Sequence, residues 1–193
     1  MARWKPNGRE RLVVAALDLF AEQGFDNTTV AQIAERAGLT RSTFFRHFGD
    51  KREVLSAGQE ALSRLLVEGI DSAPADATPL TAIAAGLDTA SGAMTEFNRE
   101  LGPRLHKAIE ANDELRTRDA MKSIGLATTM AQALRRRGVA ETTAQVAAEL
   151  GVLAFRTGFT RWSTPSVDTA PGKLITYTRE AFAELRAATA ELR

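Results

Sequence analysis

The sequence predicts an all-α protein in two parts, a three-helix domain over residues 1–55 and a larger helical domain over residues 56–193. Three observations lead there. Helix-start signals crowd residues 28–55, TTVAQIAERAGLTRSTFFRHFGDKREVL, which read as a helix-turn-helix followed at once by another helix. Beyond that stretch, apolar residues recur at three- and four-residue intervals almost to the C-terminus. The first small, polar, proline-bearing break falls at residues 71–79.

The elements follow in order. Asn7 and Glu10 can cap a first helix whose inward residues are Val13, Leu17 and Phe20 and which ends at Gly24. Thr29 and Gln32 fit the S/T-x-x-E/Q capping box, and Val30, Ile33, Ala34 and Ala37 give the helix they open an apolar stripe. Gly38 ends it, because glycine adopts the left-handed conformation cheaply, and Leu39 is expected to tuck inward. Thr40 can cap a next helix running to about His47, and Asp50 with Glu53 offers a third box.

On the helix after Thr40, Phe44 and Phe48 share one face and should bury against Ile33 and Leu17. The opposite arc carries Ser42, Thr43 and Arg46, with Phe45 and His47 at its edges and Arg41 in the first turn. Residues 36–52 hold five basic side chains, Arg36, Arg41, Arg46, Lys51 and Arg52, against the single acid Asp50, while the whole chain is only +1. Clustering, not total charge, is the signal. Arginine pairs bidentately with guanine edges, hydroxyls bond bases or phosphates, and an aromatic ring packs on thymine methyls. The face therefore has the chemistry to read DNA, although a merely solvated helix face would carry the same arginines.

These residues resemble the N-terminal domain of TetR-type (tetracycline-repressor-like) transcriptional regulators. The resemblance rests on Gly24-Phe25, Thr29-Val30, Ile33-Ala34, Ala37-Gly38-Leu39-Thr40, Thr43-Phe44-Phe45, His47-Phe48 and Lys51, and runs over about the first 55 residues. It implies that Thr29 and Lys51 hold phosphates and that Arg41, Ser42, Thr43, Phe45, Arg46 and His47 face the major groove. It also implies that the larger domain binds a ligand and dimerises. Two departures stand out: many relatives have tyrosine at the position of Phe45, and some have a base-reading arginine at that of Ala31.

The helix from Lys51 is expected to run on through Val54, Leu55, Leu62, Leu65, Leu66 and Ile70 and so to belong to both domains. Thr78 can cap the next helix, with Pro79 in its first turn. Leu80, Ile83, Leu87, Met94 and Phe97 mark one stripe, Pro103 is expected to begin a shorter segment, and Asn112-Asp113 opens another that ends in Arg135-Arg136-Arg137. Cations in a last turn complement the helix dipole. Thr142 and Gln145 form a box opening a helix apolar nearly all round, which should be buried on more than one side. The final helix, from about Pro171, carries a seam of Ile175, Thr178, Phe182, Leu185, Thr189 and Leu192. That seam suits a homodimer through the last two helices, and it would equally serve the core of one chain.

Candidate ligand-binding residues are Met94, Phe97, Arg104, Met121, Met130, Phe155 and Phe159, although Met and Phe at helical spacing are commonly plain core. His106, Arg156 and Trp162 are further polar-capable side chains beside them. The absence of cysteine excludes disulfides, thiolate catalysis and zinc-thiolate sites and fits a reducing, cytoplasmic setting. There is no apolar run of spanning length, and the basic start has no apolar signal region; its Arg3, Trp4 and Lys5 could reach DNA or be a disordered arm. No catalytic, metal or cofactor motif is expected, and the chain is not read as an enzyme.

Two function classes follow. One is a homodimeric transcriptional repressor released from a palindromic DNA operator by a small-molecule effector. The other is a helical small-molecule-binding protein or enzyme with a vestigial DNA-binding motif.

Overall fold

The computed structural model describes residues 7–56, 58–164 and 172–191, so the expectations placed on Arg3, Trp4, Lys5, Pro171 and Leu192 lie outside the described residues. Ten helices run in the order α1 (Gly8–Gln23), α2 (Val30–Arg36), α3 (Arg41–His47), α4 (Lys51–Ser56), α5 (Gln59–Asp71), α6 (Pro79–Gly92), α7 (Glu96–Glu110), α8 (Asp113–Arg136), α9 (Glu141–Ser163) and α10 (Leu174–Glu191). There is no strand among the described residues, as the periodicity requires. None of the described helices is long and apolar enough to cross a membrane.

The chain divides into two compact units. The first comprises Met1–Gly58 together with Pro103–Asp119, and the second comprises Gln59–Gly102 with Ala120–Arg193. In the first, α1 packs on α2, α3 and α4 around Leu12, Leu17, Phe20, Phe25, Ile33, Phe44, Phe48 and Val54, with Ala108 and Leu115 also buried. The Phe44 and Phe48 rings meet 5.6 Å apart, on the face the helical spacing assigns to the core. In the second, α5 lies on α6, α9 pairs with α10, and α6 packs against both. Leu66, Ile70, Ile83, Leu87, Met130, Leu134, Val152 and Phe182 form its core.

Three local expectations are corrected. The helix expected to continue from Lys51 to Ile70 is two elements, α4 and α5, separated around Gly58, whose φ of 91° cannot continue a right-handed helix. The break expected at Pro103 falls instead between Gly92 and Glu96. There the Thr95 N–H and hydroxyl both donate to Asn98 Oδ1 at 2.9 Å, and Pro103 sits exposed inside α7, its missing donor tolerated. Thr142 does not cap α9: the N-cap is Ala140, without a side-chain bond, and Gln145 donates to Glu149 instead. The body of α9 packs against both α6 and α10, while Val146 and Leu153 are left 55% and 46% exposed.

Arginines tie the second unit together at the end of α8. Arg137 donates to the backbone oxygens of Asp71, the last residue of α5, and of Ala73 and Pro74 just beyond it, and Arg136 pairs with Asp71 at 3.1 Å. The cluster that sequence assigns to the α8 dipole thus also satisfies the orphan carbonyls of a neighbouring helix. Between α6 and α10 a buried Ser91 hydroxyl donates to Thr178 Oγ1 at 3.1 Å. Thr178 and Phe182 of the expected seam therefore face their own chain's core.

Candidate nucleic-acid interface

Capping sets the geometry of the helix-turn-helix. Asn7 accepts from the Glu10 N–H while the Glu10 side chain accepts from the Asn7 N–H, so α1 starts with a complete box. Thr29 and Gln32 form the second, with the Thr29 N–H donating to Gln32 Oε1 at 2.8 Å and Gln32 N–H to Thr29 Oγ1 at 3.3 Å. Gly38, at φ 63°, reverses the chain after α2, and Thr40 Oγ1 accepts from the Thr43 N–H at 3.1 Å to open α3. Leu39 is half-buried at this turn. Asp50 Oδ1 accepts from the Glu53 N–H at 2.9 Å and the Arg52 N–H at 2.7 Å, but Glu53 reaches back to the Gly49 N–H, one residue earlier than a complete box requires.

With Phe44 and Phe48 buried, α3 turns a continuous arc outward. Arg41, Ser42, Phe45, Arg46 and His47 are exposed and Thr43 is half-buried. Phe45, 50% exposed, meets the buried Phe44 edge-on at 5.5 Å, which fixes the direction of an otherwise unsupported ring. Thr43 Oγ1 accepts from Arg46 Nη2 at 3.4 Å and lies 3.0 Å from Thr40 Oγ1. Arg41 makes no side-chain hydrogen bond or ion pair among the described residues. The arc thus presents two guanidiniums, two hydroxyls, an imidazole and an apolar ring.

The remaining basic residues divide differently from the sequence count. Arg36 makes a bidentate pair with Glu22 at 3.0 and 2.8 Å, and this hydrogen bond holds the Glu22 carboxyl below its usual range while raising the Arg36 guanidinium. The Lys51 ammonium donates to the carbonyls of Phe25, Thr28 and Asp26 at 2.7, 3.0 and 3.3 Å. Thr29 is exposed, its hydroxyl also donating to Gln32 Oε1 at 2.9 Å.

Sequence reasoning passed over two supports. Arg11 donates to the carbonyls of Ala37 and Gly38 at the end of α2, and the Arg9 guanidinium lies 5.2 Å from the Phe48 ring centre. Both are long-range contacts, with no local pattern to announce them.

The candidate ligand residues do not converge. Met130 and Phe155 share an apolar cavity of about 10 Å³ with Leu66, Leu87, Leu126, Gly151 and Val152, at whose edge stands Arg156. That is about the room of one water. Phe159 stacks on Phe155 at 6.3 Å, and Met94 packs against the core of the second unit. Phe97 is half-buried and Met121 is 62% exposed. Arg104, in the first unit, pairs with Asp18 at 3.3 Å.

Residues 12–57 match the sequence pattern of bacterial regulatory proteins of the tetR family. The HTH-type transcriptional regulator TcmR of Streptomyces glaucescens is 34% identical over 102 residues, 52% of this chain and 45% of that protein. The chain spans less than half the length of the curated relatives it matches. Among solved structures, FadR of Thermus thermophilus, a TetR-family transcriptional repressor in complex with lauroyl-CoA, superposes with a TM-score of 0.50 at 26% identity. That match covers 92% of this chain and 93% of that one. FadR of Bacillus subtilis, in complex with stearoyl-CoA, shares the fold at a TM-score of 0.56 and 18% identity, over 91% and 96% of the two chains. Residues 12–57 thus carry the helix-turn-helix segment of the tetR family of bacterial regulatory proteins.

Proposed function

We propose that the protein is a cytoplasmic, homodimeric transcriptional repressor that holds a palindromic operator through α3 and is released by a small-molecule effector. The observation that carries this reading is the outward arc of α3. It is exposed along its length, anchored from behind by Phe44 and Phe48, and bears no acidic side chain. Arg41 and Arg46 read base edges in the major groove, Phe45 packs on thymine methyls or sugars, and Ser42, Thr43 and His47 bond bases or phosphates. Thr29 lies against the phosphate backbone.

A single short helix spans few base pairs, so specificity requires two copies at fixed spacing. The exposed Val146 and Leu153, seven residues apart on α9, supply apolar surface for a two-fold contact, with exposed positions of α10 as its second element. The effector site is assigned to the Met130–Phe155 cavity, which must open to admit a ligand. Its apolar lining, and the lauroyl-CoA bound by the Thermus relative, favour an effector with an acyl or similarly apolar part.

Selection of bound duplexes from a random pool by the purified chain tests the reading. A two-fold symmetric motif, bound about 10³-fold or more over random DNA with affinity falling steeply in salt, is expected. Equal binding to selected and random duplexes would favour the second unit as the working part, with a vestigial DNA-binding motif.

A further inference from the structure

Lys51 stands at the first position of α4, where the positive end of a helix makes a cation unfavourable. Its side chain does not turn to solvent. The ammonium has three N–H donors, and the structure gives it three acceptors, the carbonyls of Phe25, Asp26 and Thr28, all in the loop between α1 and α2. It also lies 4.4 Å from the centre of the Phe25 ring, whose other cationic neighbour, Arg118, is 5.7 Å away.

That loop decides where α2 begins. Gly24 leaves α1 at φ 85°, Phe25 is buried, and the buried Thr28 hydroxyl donates to the Gly24 carbonyl at 2.7 Å. Gln23 Nε2 reaches Asn27 O at 3.1 Å, and both Thr28 Oγ1 and Gln32 Oε1 at 3.3 Å. Thr29, the cap of α2, follows directly. Three carbonyls converging on one point would repel one another without a cation between them, and the Lys51 ammonium supplies it.

We infer that Lys51 is a positioning residue, an internal cation that holds the α1–α2 loop and through it the seat of α2 and α3, and that it does not itself neutralise a DNA phosphate. This rests on the DNA-binding reading above only for its functional consequence. Spending all three donors on carbonyls leaves none for a phosphate oxygen. Losing the side chain would loosen the loop and weaken operator binding indirectly.

Two measurements decide it. In the wild-type chain, limiting acetic anhydride followed by mass spectrometry should acetylate Lys51 at least tenfold more slowly than the exposed Lys173, with or without operator. Rapid acetylation in the unbound protein that DNA then suppresses would overturn the inference.

Lys51→Met keeps the stem and removes the charge. It should lower the Tm by several degrees and weaken selected and random duplexes while leaving the salt slope of binding unchanged. A phosphate contact would instead reduce that slope by about 0.9 per protomer with Tm unmoved, and that pattern would overturn it. Lys51→Arg should restore only part of the Tm, since a longer, planar guanidinium does not fit a site shaped around one compact ammonium. Should Lys51→Met fail to fold, the acetylation result stands by itself. If wild-type protein does not distinguish duplexes, the repressor reading falls while the acetylation contrast still tests the internal cation.

Discussion

Gly69 and Gly86 bring α5 and α6 together backbone against backbone: a Cβ on Gly69 would lie 2.6 Å from Gly86 Cα and 2.5 Å from Ala85 O. The reverse holds as well, with a Cβ on Gly86 falling 2.7 Å from Leu66 O. Backbone atoms cannot swing aside as a long side chain can. Gly69→Ala should therefore force the helices apart and cost about 1–3 kcal/mol of stability or more, read from urea unfolding. Gly92→Ala, in the last position of α6 with open space around it, should be neutral or stabilising by up to about 1 kcal/mol. Equal losses in the two variants would contradict the close crossing.

Acid should act on the first unit through Glu22. The hydrogen bond from Arg36 lowers this carboxyl below its unfolded value, so its contribution is fully present above the unfolded pKa and disappears as pH falls through the lower folded one. Both partners are well exposed, so the effect is small and screened by salt. Glu22→Gln should leave the Tm near neutral pH almost unchanged and flatten its decline on the acid side of the normal carboxylate range. A variant whose acid decline matches the wild type would show that other carboxylates control it.

Arg46 and Arg36 lie ten residues apart and should behave oppositely on DNA. Arg46 sits on the exposed arc of α3, whereas Arg36 is held by Glu22. Arg46→Ala is expected to erode discrimination between selected and mismatched duplexes by ~1–3 kcal/mol for each lost base contact. Arg36→Ala should leave discrimination intact. Competition binding against single-base variants of the selected site measures both, and loss of discrimination in Arg36→Ala with none in Arg46→Ala would move the reading face off α3.

The first unit was legible because its instructions are local. Asn7, Thr29 and Thr40 each bond a backbone group three residues on, so the boundaries of α1, α2 and α3 follow from short motifs, and Phe44 with Phe48 fix the buried face of α3. Long-range pairing was silent in the sequence. Nothing beside Lys51 announces the carbonyls of Phe25 and Thr28 more than twenty residues earlier, and nothing beside Arg104 announces Asp18. The apolar stripes on either side of Gly58 read as one helix, because a stripe records spacing and not backbone conformation. Thr178, a seam position by its spacing, is buried and accepts a hydrogen bond from Ser91. A seam within a chain and a seam between chains have the same period.

That ambiguity is testable on α9. Val146 and Leu153 face outward, so replacing either with glutamate adds a solvated charge to a surface position and should change the stability of a single chain by less than about 0.5 kcal/mol. In a two-fold contact centred on this face, each substitution counts twice and brings like charges together out of water, which costs several kcal/mol. The double variant Val146→Glu, Leu153→Glu should therefore sediment as a monomer at concentrations where the wild type is a dimer, with its helical circular dichroism retained. It should also lose most of its affinity for a two-half-site operator while keeping the weak, salt-sensitive binding of one α3 to random duplex. A variant that remains dimeric would move the interface away from this face of α9, leaving the outer side of α10 as the surface to mutate next.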